Sequence, residues 1–566
     1  MRISISEVCL TDNGTYQAEL RFDKGPTYPI VINDPFATKE EESLEWYFEE
    51  HLQFPFLEEV KFKTVATSIF RYGENLFEQV FNNSYQVRQS YQDAVQENKI
   101  EIEIVGSPEF HHFHWEAMKA PGDTKPLALS YTITRKVLGS SSLHTIAIHK
   151  SSPTINVLLI VARPKGQSDV GYRTISRPLV ETIQHSDLPV KIDIVRPGTY
   201  KGLREHLEKH GKGYYHLIHF DVHGELITYP EFWRGSYARY DQADELSSFD
   251  GYKAFLLFSS HQEQLPHAIE ASRLAKLLTK YEIPIAILNA CQSAKQLNQA
   301  TETSLASRLQ QAGIQAVLAM AYSVMVTAAT KFMGTLYQQL FAGTPLPVAV
   351  CLARRTLHTD KARRAHYNQQ INLEDWLLPV LYQQQEVKLD FTQDSAISPA
   401  TGKYQEPPTT CGSFVGRDLV NIENRLLLQR NVLLIQGMAG AGKTTLLHHL
   451  GAWWQTTHLV ERVFYFGYDT RAWNRQDVLN DIARQLWDDF YYQRRFQSLL
   501  EDEQQREVLS RLRQQRHLLI LDNLESLTGI EQQFTLSSEK QQALHDFLHA
   551  LVGGNTLVIL GSRGDG

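Results

Sequence analysis

The sequence predicts an α/β protein in which a mostly parallel sheet, with helices on both faces, is preceded by a small α+β module and followed by a second α/β domain. Between residues 99 and 389, apolar runs alternate with helical patterns, which favours parallel βαβ units. The run IPIAILN at 283–289 is almost entirely apolar, as is typical of a strand that is buried on both faces. A glycine-rich loop between a strand pattern and a helix pattern, near residue 437, indicates the second domain.

Changes in composition along the chain predict the domain boundaries. Residues 1–98 contain short alternating pieces followed by helical patterns, which predicts a small antiparallel sheet with helices and an adaptor or docking role. Residues 390–412, rich in Ser, Thr, Pro and Gly, are expected to be a linker before the P-loop domain at 413–566. The main domain has strand candidates at 100–105, 155–164, 190–195, 216–222, 252–258, 283–289 and 316–322.

Composition excludes several classes of protein. The net charge is −8 over 566 residues and no segment is strongly basic, so we expect no nucleic-acid partner. The four cysteines (Cys9, Cys291, Cys351 and Cys411) show no paired spacing, which favours a reducing, cytoplasmic setting. No signal peptide is recognisable and no apolar run approaches the ~18 residues of a membrane span, so no membrane insertion is expected.

A histidine and a cysteine follow two of the predicted strands. The run HLIHFDV ends directly before His223 and Gly224, and IPIAILN ends shortly before Cys291. Parallel strands bring their carboxyl ends to one edge of a sheet, where α/β proteins place their sites. We therefore expect His223 and Cys291 to meet as a general base and a nucleophile. Taken singly, each is more simply a core residue.

Other residues of the main domain are interpreted as packing or surface residues. Strand alternation puts His219 and His223 on one face and His216 on the other, so a three-histidine metal site is not expected. Cys351 lies in an amphipathic helical pattern and is expected in the core. The basic residues Arg354, Arg355 and 361–364 are expected to form a solvated face.

The segments HFDVHG, ILNACQSA, SLASRLQQAGIQAVLAMAYSV and WLLPVLY resemble the CHAT domain, a family of caspase-like clan CD cysteine peptidases related to separase. FHWEAM at 113–118 resembles the family's Pro-Trp-Glu segment, although His114 replaces the proline. Ala321-Tyr322 stands where many members have a tryptophan. The resemblance implies a His223–Cys291 dyad, which we expect to hydrolyse peptide bonds through a thioester. The N–H groups of Gly224 and Cys291 would stabilise the oxyanion.

The loop from Gly437 to Thr444 has the complete GxxxxGK[ST] pattern between the strand NVLLIQ and a helix. Backbone N–H groups of such a loop hold phosphates, the lysine reaches the outer phosphates, and the Ser/Thr hydroxyl binds magnesium. Asp522, at the end of HLLILD, is the expected second magnesium ligand. The predicted cofactors are ATP or ADP with Mg²⁺, and the loop residues of the site are Gly437, Gly440, Gly442, Lys443, Thr444 and Thr445.

The P-loop domain resembles STAND/NB-ARC-type ATPases. FVGRD resembles their entry segment, which implies that Phe414, Gly416 and Arg417 lie beside the adenine. Arg563 matches their sensor next to the terminal phosphate. Asn523 stands where many relatives have a second acid, so Glu525 would orient water or hydrolysis would be very slow. Because STAND proteins continue with further domains, we expect the chain to be truncated after Gly566.

Together these features predict a cysteine endopeptidase with a protein substrate, regulated by an ATP-binding switch that drives homo-oligomerisation, in bacterial signalling, defence or cell death. The first alternative is a catalytically idle CHAT scaffold that acts as an adaptor. The second is a P-loop NTPase with a passive amino-terminal half. Loss of cleavage in Cys291→Ala would exclude the first, and preserved function in Lys443→Ala would exclude the second.

Overall fold

The structure is a computed structural model of the 566-residue chain, which divides into two compact units, Met1–Ala396 and Ile397–Gly566. It describes residues 1–96, 100–138, 154–164, 180, 190–235, 248–260, 265–288, 291–292, 301–311, 313–322, 324–365, 369–387, 404, 407, 419–428, 430–469, 471–528 and 536–563. Each unit has its own sheet and its own hydrophobic core.

The first unit alternates strands and helices along most of its length. Its strands are β1 (Arg2–Leu10), β2 (Tyr16–Phe22), β3 (Thr27–Ile32), β4 (Glu101–Gly106), β5 (Thr132–Val137), β6 (Ile155–Val161), β7 (Val190–Val195), β8 (Leu217–Asp221), β9 (His223–Thr228), β10 (Tyr252–Phe258), β11 (His267–Glu270), β12 (Ile285–Leu288), β13 (Cys291–Gln292), β14 (Ala316–Met320), β15 (Ala362–Arg364), β16 (Gln370–Asn372) and β17 (Pro379–Gln383). Its helices are α1 (Thr38–Glu45), α2 (Glu59–Phe81), α3 (Tyr85–Gln96), α4 (Tyr200–His210), α5 (Tyr229–Arg234), α6 (Ala271–Lys280), α7 (Thr301–Gln311), α8 (Val326–Phe341) and α9 (Leu346–Thr359).

The large sheet of the first unit is mostly parallel, which confirms the predicted fold class. Within the described residues its strand order is β3-β2-β1-β4-β5-β17-β14-β12-β8-β6-β7. The strands β14, β12, β8, β6 and β7 all pair in parallel, and β17 is antiparallel to β14. The carboxyl ends of β8, β12 and β14 therefore lie at one edge of the sheet.

The central strands are mostly apolar and are buried on both faces. Every residue of β6, β8, β12 and β14 is buried. Helix α6 packs beside β10 and β11 and buries Leu274, Ala275 and Leu278, which its 3.6-residue period places on one face. Burial of each leucine or isoleucine side chain stabilises the fold by about 1.5–3 kcal/mol before entropic costs.

The first 98 residues extend the same sheet. The predicted antiparallel strands are present as β1, β2 and β3, and β1 also pairs in parallel with β4, where Ile3 is in register with Ile102. Helix α2 lies so close to the following segment that a Cβ atom on Gly73 would be 1.8 Å from the carbonyl oxygen of Ala117. The predicted boundary between residues 98 and 99 thus falls inside one compact unit with a shared core.

A second, smaller sheet continues from the edge of the large one. Its order is β11-β10-β9-β13, and β9 starts two residues after the end of β8. Between the end of β8 and the start of β10, the described residues form β9, α5 and the segment leading into β10. Residues 236–247 lie outside the described part of the chain.

The second unit is an α/β domain with a four-stranded parallel sheet in its described residues. Its strands are β18 (Val432–Gln436), β19 (Val463–Gly467), β20 (Leu518–Asp522) and β21 (Leu557–Ser562), in the order β18-β21-β20-β19. Its helices are α10 (Leu419–Leu428), α11 (Lys443–Thr456), α12 (Arg475–Leu486), α13 (Asp489–Arg494), α14 (Glu501–Gln514), α15 (Glu525–Thr528) and α16 (Ser538–Leu551).

Candidate active site and nucleotide site

The histidine and the cysteine singled out from the sequence lie opposite each other on neighbouring parallel strands. In the large sheet Leu288 of β12 is in register with Phe220 of β8. Just beyond these strand ends, β13 pairs in parallel with β9, and Cys291 is in register with His223. Neighbouring strands lie about 4.8 Å apart, so the backbones of the two residues run side by side.

The predicted oxyanion residue Gly224 lies in the middle of the small sheet. It is in register with Gln292 on one side and with Leu256 of β10 on the other. Asn289, Ala290 and Ser293, which flank β13, lie outside the described residues. The small sheet therefore fixes the position of His223 and Gly224 between two partner strands.

The carboxylate two residues before His223 is paired with an arginine. Asp221 is buried at the end of β8, and its Oδ1 atom lies 3.0 Å from Nη2 of the buried Arg163. Nη1 of Arg163 also donates to the carbonyl oxygen of Asp221 at 3.0 Å. Arg163 thus holds the Oδ1 side and the main-chain carbonyl of Asp221.

The two upstream histidines of this strand region are packing residues of the large sheet. The Nδ1 atom of His216 accepts the backbone N–H of Asn156 at 2.9 Å. His219 is fully buried, and neither of its ring nitrogens has a hydrogen-bond partner in the described part of the chain. Burial lowers the pKa of His219 to about 3, so its imidazole is neutral at pH 7.

Side chains from the first helical region line the same edge of the sheet. Tyr322 follows β14, the strand next to β12, and its ring stacks on Phe48 with centroids 5.2 Å apart. His114, which replaces the proline of the resemblance, places Nε2 3.0 Å from Oε1 of Glu41. Burial alone would lower the pKa of His114, but the attraction of Glu41 outweighs it and the pKa is raised. Sequence reasoning assigned no chemistry to residues 41–48.

Two of the arginines expected on a solvated face are buried instead, and that expectation was wrong. Arg354 has no exposed surface; its Nη2 atom lies 3.5 Å from Oε1 of Glu116 and donates to the carbonyl oxygen of Pro379. Arg135 binds the same buried carboxylate, with its Nε 3.3 Å from Oε1. Arg363, 1% exposed, donates to Asp375 in the same manner.

In the second unit, the glycine-rich loop connects β18 to α11 as predicted. Gly440 and Gly442 have φ angles of +76° and +82°, in the left-handed region that favours glycine. Nζ of Lys443 donates to the carbonyl oxygens of Gly437 and Met438 at 2.6 and 3.1 Å. The lysine thus folds back over its own loop, and Thr445 is exposed on the first turn of the helix.

The predicted magnesium ligands are in direct contact. Oγ1 of Thr444 donates to Oδ2 of the fully buried Asp522 at 2.7 Å. Tyr465 donates its hydroxyl to the same oxygen at 3.0 Å, and the N–H of Asn523 donates to Oδ1 at 2.9 Å. A hydroxyl and a carboxylate oxygen side by side are the ligands that a hard divalent cation prefers.

The expected sensor arginine is paired with the glutamate that was expected to orient water. Nε of Arg563 lies 3.1 Å from Oε1 of Glu525, and the backbone N–H of Arg563 donates to Oε2 at 3.0 Å. Asn523 adopts a left-handed φ of +58°, which asparagine tolerates better than most residues. Phe414, Gly416 and Arg417, expected beside the adenine, lie outside the described residues.

A stack of aromatic rings connects Tyr404, in the expected linker, to the predicted nucleotide site. The sequence did not predict this stack. The ring of His448 on α11 stacks on Tyr465 with centroids 4.2 Å apart, and on Tyr404 at 6.1 Å. Nδ1 of His448 also lies 2.5 Å from the hydroxyl of Tyr404. Tyr404, from the expected linker, therefore contacts His448, which stacks on Tyr465, and Tyr465 donates to the predicted magnesium ligand Asp522.

These folds and sites define a caspase-like α/β unit joined to a P-loop NTPase unit. The CHAT domain family matches residues 71–386, more than half of the chain, and the protein belongs to this family. The second unit, expected to be of STAND/NB-ARC type, matches the NACHT domain over residues 431–561. The protein is thus a protease-like module fused to a nucleotide-binding NTPase domain.

Solved structures of the separase–securin complex from Saccharomyces cerevisiae are similar in fold. One aligns with 10% sequence identity and a TM-score of 0.37 over 69% of this chain. Another aligns with 11% identity and a TM-score of 0.36 over 68%. The alignments cover only 30% of the matched chains. A comparison with curated proteins found no match.

Helices long and apolar enough to cross a membrane do not occur in the described part of the chain. The longest helix there is α2, with 23 residues. Lys61 and Lys63 on this helix form ion pairs with Glu58 and Glu59 at 3.5 and 2.7 Å, and Lys63 is exposed.

Proposed function

We propose that this protein is a cysteine endopeptidase whose activity is controlled by nucleotide binding. The observation that carries the proposal is the register of Cys291 with His223 on adjacent parallel strands. A thiol nucleophile and its general base must be neighbours in this way. Membership in the CHAT family and the attached NACHT domain support the same reading.

In the proposed reaction the Cys291 thiol gives its proton to His223, and the sulfur attacks the carbonyl carbon of the scissile peptide. The C–N bond then breaks, His223 passes the proton to the leaving amine, and a thioester remains on Cys291. Water attacks the thioester while His223 accepts a proton from it. Return of that proton to sulfur releases the carboxylic acid product and restores the thiol.

The proposed oxyanion donors are the N–H groups of Gly224 and Cys291. Each donor of this kind contributes about 3 kcal/mol of transition-state stabilisation. We propose a Cys–His dyad rather than a triad, as the CHAT family resemblance implies. The ring of His223 would then be oriented by the two strands that flank β9.

We propose that the P-loop binds ATP or ADP with Mg²⁺. Backbone N–H groups of residues 437–442 and the amino end of α11 would hold the phosphates, and Lys443 would move from its loop carbonyls to the outer phosphates. Thr444 and Asp522 would hold the cation, which neutralises phosphate charge when bound. Thr445, Arg563, Glu525, Phe414, Gly416 and Arg417 complete the proposed nucleotide site.

Nucleotide binding is proposed to act as a switch. A ligand at about 100–1,000 times its dissociation constant stabilises the state that it prefers by ~2.7–4 kcal/mol. This is enough to convert a closed chain into one that forms homo-oligomers, provided that the two states differ in affinity. The proposed setting is a cytoplasmic signalling, defence or cell-death response in bacteria, with a protein as the substrate.

The test uses thiol-reactive peptidyl probes on the full chain, with and without ATP–Mg²⁺, with the labelled residue located by mass spectrometry. We expect labelling of Cys291 to rise with nucleotide and to fall at least about 100-fold in His223→Ala, since general-base catalysis contributes ~10²–10⁴. Peptide cleavage should disappear in Cys291→Ala.

Two other cysteines supply matched controls. Burial raises the pKa of the Cys351 thiol, so Cys351→Ala should leave labelling unchanged. Cys9 is exposed, and any probe attached to it should be insensitive to His223→Ala and absent in Cys9→Ser. Labelling of Cys291 that ignores His223, or signalling that persists in Cys291→Ala, would favour the idle scaffold instead.

A further inference from the structure

Three potential metal ligands converge where helix α4 packs on strand β7. Asp193 lies on β7, and His206 and His210 lie four residues apart on α4, so both imidazoles project from one face of the helix. One ligand atom from each residue lies within 4.8 Å of the other two. All three residues are only partly buried, so a cation can reach them from solvent.

Neighbouring side chains hold these ligands in place. The hydroxyl of Tyr215 donates to Oδ2 of Asp193 at 3.0 Å and lies 2.6 Å from Nε2 of His206. The rings of His206 and His210 stack with centroids 4.7 Å apart. Outer partners of this kind orient metal ligands.

The donor set selects the cation. Two imidazole nitrogens and one carboxylate oxygen match the ligands of Zn²⁺ sites that keep a fourth position open, whereas Ca²⁺ and Mg²⁺ prefer oxygen ligands alone. Zinc–ligand bonds of about 2.0–2.2 Å put tetrahedral ligand atoms roughly 3.4 Å apart. The ligand atoms lie within 4.8 Å of one another, so they would have to move closer to bind the ion.

We propose that Asp193, His206 and His210 form a Zn²⁺ site with its fourth position open to water. The bound ion would fasten α4 to β7, at the end of the large sheet. Helix α4 leads into β8, the strand that ends just before His223. The ion would therefore stabilise the βαβ unit that presents this histidine. The site is independent of the proposed peptidase activity, because binding and stability report on it.

A nearby lysine, Lys191, allows a prediction in the other direction: its removal should strengthen Zn²⁺ binding, whereas removal of a ligand should weaken it. Nζ of Lys191 lies 3.7 Å from Oδ2 of Asp193 and donates to the hydroxyl of Tyr214 at 2.6 Å. A bound cation competes with this charge for the carboxylate. Lys191→Ala should therefore bind Zn²⁺ roughly two- to fivefold more tightly, the size of a partly exposed ion pair. This variant keeps all three ligands.

The experiment is calorimetric titration of the full-length Cys291→Ala chain with Zn²⁺, repeated with Co²⁺ to record its electronic spectrum. We expect one tight equivalent, a tetrahedral cobalt spectrum without a sulfur charge-transfer band, and a zinc-dependent rise in unfolding temperature. Asp193→Asn, His206→Ala and His210→Ala should each weaken binding at least about tenfold. Circular dichroism without metal checks that each variant is folded.

The chain offers a matched control in its second unit. His545 and His549 also lie four residues apart on a helix, α16, with ring centroids 6.0 Å apart, and their neighbour Asp546 belongs to the same helix. The double variant His545→Ala/His549→Ala should bind zinc like the parent chain. Zinc binding that survives loss of both His206 and His210, or that disappears in this control, would overturn the proposal, as would weaker binding in Lys191→Ala.

Discussion

The buried charged side chains of the two units have different kinds of partner. In the first unit, buried arginines are matched to buried carboxylates: Glu116 with Arg135 and Arg354, and Asp375 with Arg363. In the second unit, Lys443 donates to main-chain carbonyls of a glycine-rich loop. The partners in the first unit are fixed side chains of the core, whereas those of the lysine belong to a loop that has a ligand-binding sequence pattern.

This difference separates structural charges from functional ones. Taking a charge out of water costs several kcal/mol, and a salt bridge in the core offsets that cost only when every group keeps its partner. Such a charge cannot leave its partner without unfolding. Hydrogen bonds from Lys443 to loop carbonyls can be exchanged for bonds to phosphate oxygens, because both are acceptors. Buried ion pairs should therefore control stability, and the P-loop residues should control binding.

The largest effect is expected from Arg354→Ala. The substitution leaves Glu116 buried with one of its two arginines missing, and breaking a buried pair costs about 3–5 kcal/mol. We expect a loss of this size in the free energy of unfolding of the first unit, measured by urea denaturation. Nucleotide binding by the second unit should be unchanged.

The neighbouring arginine is the control for this prediction. Arg355 is exposed, and its guanidinium donates to the carbonyl oxygens of Leu129 and Ser130 but binds no carboxylate among the contacts described. Arg355→Ala should cost no more than about 1 kcal/mol, as exposed polar contacts do. Equal losses from the two substitutions would mean that burial of Arg354 does not determine its contribution.

The reverse pattern is expected for Lys443→Ala. Charge-assisted hydrogen bonds contribute about 1.5–3 kcal/mol, so affinity for a fluorescent ATP analogue should fall at least tenfold. The unfolding free energy should change little, because the lysine has only loop carbonyls as partners in the described structure. Lys540→Ala, an exposed lysine on α16, should alter neither quantity. A large loss of stability in Lys443→Ala would remove the distinction between the units.

The strands and the two candidate sites follow sequence patterns, and they could be predicted from the sequence. Apolar runs predicted the parallel strands, and the edge rule for such strands predicted that His223 and Cys291 would come together. The loop pattern predicted the position of Lys443 between β18 and α11. The strands and the loop follow from local patterns, and the meeting of His223 and Cys291 follows from those strands together with the edge rule.

Features that depend on distant partners were not predicted. The pairing of β1 with β4, which joins residues 1–98 to the large sheet, spans three intervening helices, α1, α2 and α3. Arg354 was assigned to a solvated face from its charge, yet it follows Val350 and Cys351 at helical spacing on the buried face of α9. Periodicity was the better guide there, because the carboxylate that allows the burial, Glu116, is distant in sequence. The ring of Tyr404 on His448 is a further long-range contact.

Each unit contains a buried histidine, and both units should lose stability as the pH falls. His219 on β8 and His517 before β20 have no exposed surface, and burial lowers their pKa values to about 3 and about 4. An unfolded histidine has a pKa near ~6.5, so below that pH the unfolded state binds a proton that the folded state does not. The free energy of unfolding therefore falls as the pH falls below ~6.5. Each histidine lowers it by up to about 1.4 kcal/mol for every pH unit.

His219→Leu should flatten this dependence for the first unit, and His517→Leu should do so for the second. Urea denaturation at pH 7, 6 and 5 measures the slope for each unit. At pH 7 neither histidine should contribute much to the pH dependence of unfolding. Both are then neutral in the folded state and largely neutral in the unfolded state. An unchanged slope would show that these imidazoles find a proton-binding partner in the folded state.

The smallest effect is expected from Tyr465→Phe, which tests whether the ring stack supports the cation ligands. The variant removes the hydroxyl that donates to Asp522 but keeps the ring that stacks on His448. Burial and the adjacent Asp522 raise the pKa of Tyr465, so the hydroxyl remains a donor at neutral pH. Loss of one hydrogen bond is worth about 0.5–1.5 kcal/mol, which corresponds to roughly a two- to tenfold weaker affinity for nucleotide with Mg²⁺.

Affinity measured in the presence of a chelator separates the two roles that Tyr465 could have. If the hydroxyl orients Asp522 for the cation, binding without Mg²⁺ should be the same in Tyr465→Phe and in the parent chain. Equal weakening in both conditions would assign the residue to the fold of the P-loop unit. Tyr491→Phe is the control, because that hydroxyl bonds Glu507 on the surface. A Mg²⁺-specific loss would mean that Asp522, although fully buried like Glu116, is held for a ligand rather than for the core.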